Sequence, residues 1–182
     1  MNLNNINNLL ELFFKQFENQ KDKKKILLSS LKDKSKNISW EQAIKFISIL
    51  SKEIKKNVNK GDRCLLVSEN RPEWFISDLS IMLSGAITVP TYTTYVEKDY
   101  EYIINDCTPS VIFVSNNEQF IKLKNIINNK KFIKKIFSFE KLNDFDEKKY
   151  VNINNLFFET TYTNDNFKIE LTRKDPACII YT

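Results

Sequence analysis

The sequence predicts an α/β fold in which βαβ units form a largely parallel sheet flanked by helices. Three observations carry this. Short apolar runs such as Arg63 to Ser68, Ala86 to Pro90 and Ser110 to Val114 alternate with segments of helical periodicity. The only two glycines, Gly61 and Gly85, stand where a strand begins and where a helix ends. Helix and strand also follow each other singly rather than in blocks, the pattern of parallel strands joined by crossover helices.

From the start of the chain, Ile6, Leu9, Leu10, Phe13, Phe14 and Phe17 recur at helical spacing and predict an amphipathic helix over residues 5 to 20. The lysine-rich stretch Lys21 to Lys25 ends it. Ile26 to Leu31 and Lys36 to Ser39 read as strands of a small hairpin, with Asp33 and Lys34 near the turn. Ser39-Trp40-Glu41-Gln42 is a capping box: the serine hydroxyl accepts from the backbone three residues on, and the glutamine returns the bond. Trp40, Ala43, Ile47, Leu50 and Ile54 continue that helix to Lys55-Lys56, where cations suit the negative end of its dipole.

Gly61-Asp62 turns the chain into the strand Arg63 to Ser68, followed by a Glu69-Asn70-Arg71 loop and by Pro72 in the first turn of a helix. Trp74, Phe75, Leu79, Met82 and Leu83 line that helix, and Gly85 suits a left-handed terminus before the strand Ala86 to Pro90. A helix from Glu97 to Cys107, a strand to Val114, a helix from Glu118 to Asn128 and a strand from Lys135 to Phe139 complete the alternation. The expected organisation is a helix and hairpin over 1–37, an α/β layer over 38–140, an irregular connector over 141–174 and a buried interior strand over 175–182.

Composition removes several chemistries. With 182 residues the chain can bury a core without disulfides or metals. It has no histidine, which excludes Ser-His-Asp and Cys-His catalysis and most zinc sites. Two glycines cannot build a G-x-G-x-x-G turn or a glycine-rich phosphate loop, so a self-contained nucleotide site is not expected, nor are catalytic or metal-ligating residues. Cys64, Cys107 and Cys178 are odd in number and widely spaced, and read as small buried hydrophobes in a reducing compartment.

The net charge of +5 comes from lysine runs such as Lys21 to Lys25 and Lys130 to Lys135, interleaved with Asp22, Asn128 and Asn129. They read as solvated surface rather than as a nucleic-acid site, because basic patches favour association only when clustered on one face. Peripheral contact with a membrane stays open. No apolar run approaches the ~20 residues of a membrane span. The opening Met1-Asn2-Leu3-Asn4-Asn5 lacks the order of a signal peptide, so a cytoplasmic protein is expected.

Three motifs in register resemble the opening of the adenylate-forming acyl-CoA synthetases: Ser68-Glu69-Asn70-Arg71-Pro72-Glu73-Trp74, Gly85-Ala86-Ile87-Thr88-Val89-Pro90-Thr91-Tyr92 and Asp175-Pro176-Ala177-Cys178-Ile179-Ile180-Tyr181-Thr182. The Asn-Arg-Pro-Glu-Trp form looks most like the long-chain fatty-acid branch. Ser39 to Gln42 and Lys60 to Arg63 also match, so the resemblance runs from about Ile38 to Thr182, with 141–174 poorly matched. It implies a reaction of a fatty carboxylate with ATP and Mg2+ to give an acyl-adenylate, followed by thioester formation with coenzyme A. It further implies that Thr182 begins the ATP phosphate loop. The rest of that loop, of the type Ser-Gly-Thr-Thr-Gly-x-Pro-Lys-Gly, would follow Thr182, so the chain is expected to be an N-terminal part of such an enzyme and inactive alone. A non-enzymatic binding remnant and other adenylate-forming branches are the alternatives.

Among the other candidates, Asn70 and Arg71 sit at the carboxyl end of a strand, where α/β ligand crevices form, but capping or a salt bridge is the preferred role. Trp74 and Phe75 are expected in the core, and Tyr92 to Tyr95 in ordinary loop packing. Glu97, Asp99 and Glu101 fit the first turn of a helix better than a catalytic pair.

Overall fold

The computed structural model describes residues 6–31, 33–143, 149–159 and 169–182. Helix α1 (Leu9–Asn19) starts at Asn8, whose side chain accepts from the Glu11 amide at 2.8 Å. A two-stranded antiparallel ribbon of β1 (Ile26–Leu28) and β2 (Ile38–Ser39) follows, with a 3-10 turn at Lys34–Lys36 between them. It is shorter than the hairpin read from the sequence. The capping box at Ser39 forms with both bonds and opens α2 (Trp40–Lys55).

The remaining elements are β3 (Arg63–Val67), α3 (Pro72–Leu83), β4 (Ile87–Thr91), α4 (Glu97–Cys107), β5 (Val111–Val114), α5 (Asn117–Ile127), β6 (Lys135–Ser138), β7 (Tyr150–Asn152) and α6 (Ile153–Glu159). Strands β3 to β7 form one parallel sheet in the order β4-β3-β5-β6-β7. Strand β7 and helix α6 fall within the stretch expected to be an irregular connector; Tyr150-Val151-Asn152 was too short a signal to read as a strand. Gly85 adopts φ +88°, a conformation costly for any side chain bearing a Cβ, and ends α3 as expected.

Successive strand residues point to opposite faces, and the core divides accordingly. Cys64, Leu66, Val111, Phe113 and Phe137 pack with α1, α2, α3 and α6 on one face. Leu65, Val67, Ile112, Val114 and Ile136 pack with α4 and α5 on the other. The chain moves one way from β3 to β4 across the first face and the opposite way from β4 to β5 across the second, so both crossovers share one hand. Trp74 and Phe75 are partly buried against the first cluster. None of the described helices is long and apolar enough to cross a membrane.

Two expectations need correction at the end of the chain. Residues 175–182 do not form a buried interior strand. They lie outside β4 and make one parallel bridge, Thr88 to Cys178, in which Thr88 N donates to Ala177 O at 3.3 Å and Ile179 N donates to Thr88 O at 2.9 Å. Two residues further along the same edge stands Pro90, which has no N–H to continue the ladder. Ile180 is consequently 64% exposed. Cys178 is exposed too, whereas Cys64 and Cys107 are buried as expected.

Candidate functional site

The reversal of direction between β3 and β5 makes a topological switch point, and the carboxyl ends of these strands are where α/β sheets place ligands. Four loops leave the sheet at this end: Ser68 to Arg71 after β3, Tyr92 to Val96 after β4, Ser115 and Asn116 after β5, and Phe139 and Glu140 after β6. Backbone bonds extend the sheet into them, since Ser115 N donates to Val67 O at 3.0 Å and Glu140 N donates to Ser115 O at 3.1 Å.

Arg71 dominates this end. Its guanidinium forks onto Glu73 with two bonds of 3.0 Å, reaches Glu140 at 2.8 Å and Glu69 at 3.4 Å, and lies 5.6 Å over the Phe139 ring. Burial disfavours its charge, but Glu73 and Glu140 outweigh that and raise its pKa further. For Glu69, burial pushes the pKa up, while the Ser115 hydroxyl and Arg71 pull it down and prevail. The Ser115 hydroxyl itself is buried and makes no hydrogen bond among the described residues. Arg71 therefore bridges the loops after β3 and β6, the salt-bridge role preferred from sequence. One cation shared by three carboxylates leaves little attraction for a phosphate, and Asn70 is exposed at the tip of the turn.

The loop after β4 is pinned from two helices. Tyr100 of α4 donates its hydroxyl to Tyr92 O at 2.8 Å, and Lys122 of α5 donates to Thr93 O at 2.7 Å. Tyr92, Tyr95 and Tyr100 form an edge-to-face series with centroids 5.5 and 6.0 Å apart. Burial pushes the Tyr100 hydroxyl up to about 12, so it remains a donor. Glu97 and Asp99 stand in the first turn of α4, where Asp99 accepts from Val96 N at 3.1 Å; this is the helix-start role anticipated for them, with Glu101 on the next turn.

Thr182 lies elsewhere. It is exposed in the segment flanking β4, with β4 and β3 between it and the switch point. Tyr181 beside it donates to Asp106 at 2.5 Å, near the end of α4. The structure thus groups Asn70, Arg71 and the tyrosine loop at one end of the sheet and leaves Thr182 apart. Sequence reasoning missed Glu140, Tyr100 and Lys122. Glu140 sits 69 residues from Arg71 in an unremarkable context, and nothing local announces the pairing.

A parallel sheet wound in both directions from β3, with helices packed on both faces, defines a doubly wound α/β layer. The family model of AMP-binding enzymes matches residues 13–182, and the chain belongs to this family of adenylate-forming ligases. It is 38% identical over 76 residues to fatty acyl-CoA synthetase A of Dictyostelium discoideum, covering 41% of this chain and 11% of that protein. To the probable CoA ligase CCL6 of Humulus lupulus it is 32% identical over 109 residues, covering 59% of this chain and 16% of that protein. Long-chain-fatty-acid–CoA ligase FadD15 of Mycobacterium tuberculosis is 36% identical over 64 residues, 35% of this chain and 11% of that protein. The chain therefore spans a small part of these relatives.

Among solved structures, coronafacic acid ligase from Pectobacterium brasiliense superposes with a TM-score of 0.81 at 19% identity, over 97% of this chain and 33% of that one. The anthranilate CoA ligase AuaEII in complex with anthranoyl-AMP superposes with a TM-score of 0.78 at 19% identity, over 100% of this chain and 33% of that one. At this identity the likeness establishes the shared fold.

Proposed function

We propose that the chain is the N-terminal α/β part of an ATP-dependent long-chain fatty-acid CoA ligase. The observation that carries this reading is the Asn70-Arg71-Pro72-Glu73-Trp74 turn, in the form of the long-chain branch, at the switch point of a chain whose relatives at 36–38% identity are named fatty acyl-CoA synthetase and long-chain-fatty-acid–CoA ligase. In this reading a fatty carboxylate attacks the α-phosphate of ATP, pyrophosphate leaves, and the thiolate of coenzyme A then displaces AMP from the acyl-adenylate. The carboxylate is a poor electrophile until its oxygen becomes part of that leaving group. Arg71 keeps the loops after β3 and β6 in fixed relation, and Thr182 contributes the first hydroxyl of the ATP phosphate loop. Cytoplasmic location belongs to the same proposal.

Mg2+ is implied by the family chemistry, yet among the described residues no three His, Cys, Asp or Glu side chains converge as a metal site. No step is therefore routed through an ion held by the described residues.

The test is ATP–pyrophosphate exchange with the product of the complete reading frame, comparing palmitate, acetate and anthranilate, beside the 182-residue chain alone. Palmitate-dependent exchange at least about tenfold above the other acids, worth ~1.4 kcal/mol of discrimination, is expected. The 182-residue chain alone is expected to show none. Preference for anthranilate or acetate overturns the long-chain reading, and an acyl-AMP burst from the 182-residue chain overturns its expected inactivity.

A further inference from the structure

The charge imbalance of this protein sits in one short stretch that leads into and through the β1–β2 hairpin. Residues 21 to 36 contain seven lysines and two aspartates, a net +5 that equals the formal net charge of the whole chain. The rest of the sequence is balanced. Folding turns this linear run into a surface feature: Glu41 N donates to Lys23 O at 3.0 Å, Trp40 N donates to Lys25 O at 3.1 Å, and Ile26 pairs with Ser39.

The loop that closes the hairpin is braced by its own polar groups. Ser30 N donates to Asn37 Oδ1 at 3.0 Å, Asp33 N to Ser30 Oγ at 3.2 Å, and Ser35 N to Asp33 Oδ1 at 2.9 Å. The brace holds Leu31 completely exposed, with Lys34 and Lys36 exposed close by. Ile26 at the base is 47% exposed, next to the exposed Lys24 and Lys25. Among the described residues, none of Lys24, Lys25, Lys34 and Lys36 is held in an ion pair.

An exposed leucine beside exposed lysines that make no ion pair matches a surface that is apolar inside and anionic at its boundary. A bilayer with acidic headgroups has that layout. A polyanion such as nucleic acid would satisfy the lysines and leave Leu31 in water. We propose that the β1–β2 hairpin docks the protein on an anionic lipid surface, with Leu31 entering the headgroup boundary and Lys24, Lys25, Lys34 and Lys36 facing the headgroups. Docking needs neither ATP nor acyl substrate, so it stands apart from the ligase reading and is read out separately.

The experiment is co-sedimentation of the 182-residue chain with vesicles of phosphatidylcholine alone or mixed two to one with phosphatidylserine. Binding to mixed vesicles is expected to be about tenfold or more tighter than to neutral ones and to fall steeply as salt shortens the screening length. Lys34→Gln with Lys36→Gln should weaken it roughly 25-fold, about fivefold for each lysine removed from the surface. Leu31→Ser should also weaken it. Lys131→Gln with Lys134→Gln, exposed lysines of another region, should leave binding within about twofold, and unchanged melting temperatures would show the variants folded. No binding to mixed vesicles, equal binding to neutral ones, or equal loss from the control pair overturns the proposal. So does a Leu31→Ser variant that binds normally, or duplex DNA that outcompetes the vesicles.

Discussion

The turn Ser68–Trp74 and the terminal segment Asp175–Thr182 carry motifs of similar clarity in the sequence, and the fold treats them differently. The turn emerges from β3, which has a paired strand on each side, and Arg71 ties it to Glu73 and Glu140 above a buried Phe139. The terminal segment has one bridge to the outer edge of β4, an exposed ion pair from Lys60 to Asp175 at 3.0 Å, an exposed hydrogen bond from Tyr181 to Asp106, and only Ala177 and Tyr181 packed, partly buried, against the core clusters. Burial at each place follows from how many strands and side chains flank it rather than from how recognisable the residues are.

The largest expected effect sharpens this contrast in the core. Phe139 is fully buried, and its carbonyl accepts from Asn154 at 2.7 Å. Phe139→Ala should cost about 3–5 kcal/mol of unfolding free energy in a urea titration, whereas Ile180→Ala should stay within about 0.5 kcal/mol. Equal effects would erase the distinction between the two regions.

A smaller effect is expected at the ion pairs. Arg71→Ala should cost roughly 2 kcal/mol, less than a fully buried pair because Glu140 is half exposed, and Arg71→Lys should recover part of it without the two-pronged contact. Lys60→Ala, which removes an exposed pair, should cost under about 1 kcal/mol. A Lys60→Ala loss as large as that of Arg71→Ala would show the terminal segment to be better anchored than its exposed contacts suggest.

The smallest effect lies between the regions, at Asp78. Burial raises its carboxyl pKa above the ordinary value, and the neighbouring Thr88 hydroxyl offsets this only in part. An acid with a raised folded-state pKa binds more protons folded than unfolded. Its destabilising effect is therefore absent below the unfolded value and grows as pH rises through the folded one. Asp78→Asn should raise the melting temperature at pH 7, with the gain disappearing as pH falls to about 4. A gain that is constant with pH would mean that Asp78 titrates alike in the folded and unfolded chain and that burial does not raise its pKa.

Much of the architecture was legible because its signals are local. The Ser39 capping box, Pro72 opening α3, left-handed Gly85 and the alternation of β3 to β6 with their helices each depend on a few adjacent residues. Strand β7 escaped because three residues carry too little periodicity. At the candidate site, Arg71 was readable as an ion-pairing residue, but its partner Glu140 and the pinning of the tyrosine loop by Tyr100 and Lys122 join distant parts of the chain.

The amino-acid sequence by itself determined the class of fold, the element order and the family motifs, since periodicity, capping and turn chemistry act over a handful of residues. Only the tertiary structure decided which strand borders which, which side of β4 receives Cys178, and that Leu31 stands exposed near Lys34 and Lys36. Apolar spacing states that a face must be buried; what buries it depends on packing among elements far apart in the chain.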